Sequence, residues 1–111
     1  MLWLLVFACN GDERQLQEEE DAAYAAGCDE GRIVGTLAGA DDGKECRERA
    51  DVPNEAAQEG MVEYCGGEEP SGDDEPCYWW EIGYLDCWRA AYDMSYPVAW
   101  DDAGCEADSG S

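Results

Sequence analysis

Histidine is absent from this chain, and only 6 of its 111 residues are basic. Without histidine there is no triad to activate Ser71, Ser95, Ser109 or Ser111, and the usual zinc-ligand patterns are missing. No two cysteines are spaced as CxxC, which removes the thioredoxin-type redox motif. With 28 acidic residues and a net charge of −22, the chain lacks the basic surface that nucleic acid requires. No glycine pattern matches GxxxxGK[ST], so a phosphate-binding loop is not expected. Carboxylate pairs such as Asp41-Asp42, Asp73-Asp74 and Asp101-Asp102 arise unavoidably at this acidity. They read as solvated surface rather than as an acid/base pair, which needs a cleft and separated pKa values. No catalytic residue, cofactor or metal site is expected.

What the chain does have is periodic. Gly27, Gly31, Gly35, Gly39 and Gly43 recur every fourth residue, and so do Trp80, Tyr84, Trp88, Tyr92, Tyr96 and Trp100. On a helix each series lies along one face. The first makes a bare groove and the second a bulky ridge, and ridges pack into grooves. The expected fold is all-α: an antiparallel helical hairpin with a short third helix, stapled by disulfides. The first long helix is placed at residues 18–49, a short one at Asn54–Tyr64 before Gly66-Gly67, and the second long one from Tyr78 to about Tyr96, closed by Pro97. Gly43 is expected beside Trp80, with Gly39 by Tyr84, Gly35 by Trp88 and Gly31 by Tyr92. A four-residue period exceeds 3.6, so the stripe drifts and favours a right-handed crossing. Five glycines inside a helix cost about 5 kcal/mol relative to alanine, so something must press closely on them. The stretch Tyr24–Gly31 also resembles Trp80–Cys87 as a diverged copy.

Seven cysteines make an odd number. The chain begins MLWLLVFACNGDE, an apolar run meeting Cys9 directly. Setting Cys9 aside leaves Cys28, Cys46, Cys65, Cys77, Cys87 and Cys105, an even set that reads as three bridges in a small exported domain. Cys28–Cys46 and Cys77–Cys87 are excluded because each pair would lie far apart along one helix. The preferred pairing is Cys46–Cys77, Cys28–Cys105 and Cys65–Cys87. Residues 1–9 are then a signal or anchor segment, 10–17 a tether, 18–105 the helical domain and 106–111 a flexible tail. Tyr78 and Trp79 are expected as an exposed contact patch, and Arg89 as a partner of Glu81, Asp86 or Asp93. The acidic loop Glu68–Glu75 lacks the EF-hand order, so weak divalent-cation binding is the most it implies.

The glycine series at 27–43 resembles the repeat of small eukaryotic adaptor proteins in cytosolic iron–sulfur cluster assembly, which use it for helical packing and partner assembly. The apolar start with Cys9, Tyr64-Cys65 and Gly83 to Asp86 are similar to small bacterial lipoproteins of uncharacterised function. That resemblance implies lipidation at Cys9 and a cell-envelope location facing the periplasm or exterior. The expected function is a non-catalytic, membrane-tethered acidic binding or structural module, with a protein partner and no nucleic acid. The alternative is a cytosolic adaptor whose glycine groove docks a partner helix.

Overall fold

The computed structural model describes residues 2–72 and 75–105, with side chains from Arg14 onward. The described residues form three helices, α1 (Leu2–Lys44), α2 (Asn54–Tyr64) and α3 (Trp79–Asp102), with one 3-10 turn, Pro76–Tyr78, leading into α3. The all-helical, disulfide-stapled class expected from the periodicity is what the chain adopts. α2 has the bounds read from the sequence. Among the described residues no helix is long and apolar enough to cross a membrane.

The sense of the pairing differs from the expectation. α1 and α3 run parallel, not antiparallel. Gly27 lies against the backbone of Trp80, Gly31 against Tyr84, Gly35 against Trp88, Gly39 against Tyr92 and Gly43 against Tyr96, so both helices climb together. The connector from 45 to 78 explains how. Helical hairpins need only about two to eight connecting residues. This connector carries its own helix, α2, of 11 residues or about 16 Å, which returns the chain toward the start of the glycine stripe before α3 sets off beside α1.

All six cysteines after Cys9 are paired, as Cys28–Cys87, Cys46–Cys105 and Cys65–Cys77, with Cα atoms 5.0, 5.7 and 5.4 Å apart. None of the three preferred pairings occurs: Cys46–Cys77 was set by the antiparallel register, and the other two completed the set around it. The two bridges between α1 and α3 each span a sequence separation of 59. In the chain-entropy picture a loop of that length is worth about 4 kcal/mol.

Helix ends also depart from expectation. α1 stops at Lys44 rather than 49, because Cys46 turns to φ +58. The Cys46 amide then bonds to the Gly43 carbonyl at 3.1 Å and the Arg47 amide to Asp42 at 2.9 Å, a Schellman closure with cysteine in the usual glycine place. α3 closes the same way through Gly104 (φ +73), its Cys105 amide bonded to Trp100 at 3.1 Å. The Cys46–Cys105 bridge thus ties two helix caps together. Pro97 does not end α3, which continues to Asp102. The carbonyl it leaves without an amide belongs to exposed Asp93, where water can satisfy it. The backbone of residues 10–17, expected as a tether, is helical, and 106–111 lie outside the described residues.

The glycines are buried not by rings but by backbone. A Cβ added at Gly27, Gly31, Gly35 or Gly43 would run into a main-chain carbonyl of α3, and one at Gly83 would run into the Tyr24 carbonyl in return. The diverged copies therefore meet reciprocally, each glycine under the other's aromatic residue. Where a methyl would stand, a glycine Hα faces the oxygen instead, a Cα–H···O geometry worth about 0.5–1 kcal/mol per contact. Replacing Gly35 by alanine gains about 1 kcal/mol of helix propensity but forces a methyl onto the Trp88 backbone, which cannot swing aside. Urea denaturation is expected to find Gly35→Ala less stable by at least about 1 kcal/mol, and Gly72→Ala, which meets nothing within 4 Å, near neutral.

Candidate functional site

With the two backbones in contact, the aromatic side chains of α3 have no room between the helices. They form a buried row along one flank. Trp80 stacks on Tyr84 (5.2 Å between ring centroids), Trp88 on Tyr92 (4.8 Å) and Tyr92 on Tyr96 (5.5 Å), and Trp100 follows at 5.7 Å. Ala23, Ala57 and Met61 complete the core beside them. The expected helix-packing residues of both helices therefore do meet, but carbonyl to glycine rather than ring to glycine.

The segment after α1 is strapped across the upper part of this row. The Tyr92 hydroxyl donates to Asp42 Oδ2 at 2.7 Å and accepts the Ala50 amide at 2.9 Å. Tyr96 donates to the Arg47 carbonyl, and Arg89 Nη2 donates to the Ala50 carbonyl at 3.1 Å. Two guanidinium groups cap the rings: Arg49 lies 4.9 Å from the centroid of Tyr96, and Arg89 lies 5.5 and 5.8 Å from those of Trp88 and Tyr92. Both meet Asp93, Arg49 at 2.6 Å and Arg89 at 3.4 Å. Asp93 is one of the three partners expected for Arg89. Asp42 was expected only as solvated surface, and its part here, like those of Arg49 and the Ala50 backbone, depends on where a loop is laid down.

Burial and the Asp42 hydrogen bond push the Tyr92 hydroxyl up to about 12. Tyr24 is raised by donating to Asp86, 2.9 Å away, and Tyr84 by burial and the nearby charge of Glu30. These phenols hold their protons, which suits a structural donor and not a base.

Tyr78 and Trp79, expected as an exposed patch, are half-buried against the core. The exposed apolar residues are elsewhere. Ile33 and Leu37 on α1, and Met94 and Val98 on α3, are each more than half exposed, the last two beside an apolar groove that also takes in Ala40 and Ala90. Among the described residues no cluster of acidic or cysteine side chains is arranged to hold a metal ion. Asp73 and Asp74 of the acidic loop, and the Cys9 side chain, lie outside those residues. The glycine groove is filled by α3 along its whole length, so a docked partner helix has no access to it.

No protein-family model matches this chain, and neither curated proteins nor solved structures give a significant match to it.

Tyr92 titrates near 10 when unfolded and at about 12 when folded. Its contribution is therefore whole below pH 10 and is lost as the pH rises from 10 through about 12. Tyr92→Phe also leaves the Ala50 amide and Asp42 without their partner, a cost of about 1–3 kcal/mol. Urea denaturation at pH 8 and pH 11.5 is expected to show that the deficit of Tyr92→Phe against the parent protein shrinks at the higher pH.

Proposed function

We propose that this chain is a non-catalytic, acidic binding or structural module of the bacterial cell envelope, tethered to the membrane by a lipid on Cys9. The observation that carries this reading is the complete pairing of the other six cysteines. Such bridges persist in oxidising compartments and are rare in the cytosol. They leave Cys9 as the odd residue, directly after an apolar run and the small residue Ala8.

The remaining features suit that role. From Cys9 to Ala23, the first buried residue of α1 among those whose side chains are described, fourteen helical residues span about 21 Å, enough to stand the folded part off a lipid surface. The net charge of −22 keeps the module soluble and draws cationic partners. Exposed Ile33, Leu37, Met94 and Val98 add apolar contact area for a protein partner. The runner-up, a cytosolic adaptor docking a helix in its glycine groove, loses the surface it relied on.

In a bacterium that processes lipoproteins, the full-length protein is expected to fractionate with membranes, and Cys9→Ser to release it. Protein that is already soluble before the substitution contradicts the tether.

A further inference from the structure

We propose that the stacked rings of α3 carry a one-electron oxidation inward from Trp100 to Tyr92, which holds it as a neutral phenoxyl radical after passing its proton to Asp42. This activity goes beyond the binding role proposed above, and it does not depend on the tether at Cys9.

The upper part of the row is continuous. Trp88, Tyr92, Tyr96 and Trp100 follow one another at centroid separations of 4.8, 5.5 and 5.7 Å, with successive planes tilted by only 18°, 17° and 31°. In offset stacks this close the π faces touch, so an electron passes from ring to ring without crossing water. Trp80, Tyr84, Trp88, Tyr92 and Tyr96 are buried, and Tyr92 is 0 % exposed. Trp100 alone among the six is half-buried, so it is where an oxidant in solvent meets the row.

The polar groups decide where the oxidation stops. Losing an electron turns a phenol into a strong acid, so a tyrosine is oxidised readily only where a base takes its proton. Tyr92 has that base: its hydroxyl donates to Asp42 Oδ2 at 2.7 Å, while Arg47 holds the other oxygen, Oδ1, at 3.0 Å. The Ala50 amide donates to the Tyr92 hydroxyl oxygen at 2.9 Å and stays bonded to it once the proton has left. Tyr96 donates to the Arg47 carbonyl, which is not a base. Tyr24 donates to a carboxylate, Asp86, but among the described residues it stacks on no ring of the row. Guanidinium groups lie over Trp88, Tyr92 and Tyr96. Their charge opposes a ring radical cation and is indifferent to a neutral phenoxyl. The oxidation therefore settles at Tyr92 rather than on its neighbours.

The step balances. A high-potential one-electron oxidant takes an electron from Trp100. Tyr92 replaces that electron across Tyr96, and its hydroxyl proton moves to Asp42. Trp100 is restored, Tyr92 is a phenoxyl radical, Asp42 is a neutral acid, and the oxidant is reduced by one electron.

The test uses full-length, disulfide-bonded Cys9→Ser protein and a photogenerated ruthenium(III) polypyridyl complex as the oxidant. Transient absorption and freeze-quenched electron paramagnetic resonance follow the radicals. A tryptophan radical is expected to give way to one tyrosyl radical, more slowly in deuterated water. Tyr92→Phe should abolish the tyrosyl signal and prolong the tryptophan radical. Asp42→Asn keeps an oxygen to accept the hydroxyl but has no base, so tyrosyl formation should slow at least about tenfold. Trp100→Phe should slow it severalfold, and Tyr24→Phe should leave it unchanged. Circular dichroism checks that each variant keeps its helices; if Tyr92→Phe does not fold, Asp42→Asn decides. The proposal is overturned if the parent gives only tryptophan radicals or if a tyrosyl signal survives in Tyr92→Phe, which would place it on Tyr64 or Tyr78. It is equally overturned if Asp42→Asn forms the radical as fast as the parent, or if Trp100→Phe has no effect.

Discussion

The close contact between the side-chain-free face of α1 and the carbonyl row of α3 decides the rest of this structure. Once Gly27, Gly31, Gly35, Gly39 and Gly43 admit a neighbouring backbone, no large side chain fits between the two helices. The rings of α3 must then leave the interface sideways. They stack on one another and need a cover, and the strap between α1 and α2 provides it through the hydroxyls of Tyr92 and Tyr96. The parallel sense compels the chain to travel back before α3 can begin, and that journey produces both the strap and α2. α2 comes to lie on Trp80, with Gly60 against the indole, because it is the returning leg.

A net charge of −22 works against any compact state, and the ion pairs do little to reverse it. Arg32–Asp29 and Arg47–Asp41 are exposed pairs of the kind worth less than about 1 kcal/mol. The covalent bridges are better suited to the task. Cys28–Cys87 and Cys46–Cys105 hold the long helices together at two levels, so repulsion cannot part them while the bridges remain oxidised. The arginines instead contribute where they lie on rings and bind backbone. Arg89 touches Trp88, Tyr92, Asp93 and the Ala50 carbonyl at once.

Local signals in the sequence were readable where they carried their own geometry. Pro53 and Gly66-Gly67 bracket α2, and Gly66 adopts φ +92 as a helix-ending glycine does. The glycine stripe identified a close contact, and the even set of six cysteines identified three bridges. Direction was not readable from these. Cysteines at 28 and 46 and at 87 and 105 have equal spacing, which fits parallel bridges (28 with 87, 46 with 105) as well as antiparallel ones (28 with 105, 46 with 87). The stripe, repeating every four residues, likewise fits either sense. The length of the connector between residues 44 and 79 held the discriminating information. Pro97 misled for a related reason: proline penalises a helix unless tertiary contacts and a bridge retain the turns beyond it, and those are long-range facts. The contact of Gly60 with Trp80 was not legible because the two residues come from separate helices and have no common motif.

The central claim concerns backbone against backbone, and proton–proton contacts by NMR report on it directly. In isotope-labelled, oxidised protein, the Hα protons of Gly27, Gly31, Gly35 and Gly43 should show nuclear Overhauser contacts to main-chain protons near Trp80, Tyr84, Trp88 and Tyr96 respectively, in that ascending order. A descending order, with Gly43 against Trp80, or contacts confined to ring protons, would contradict the account.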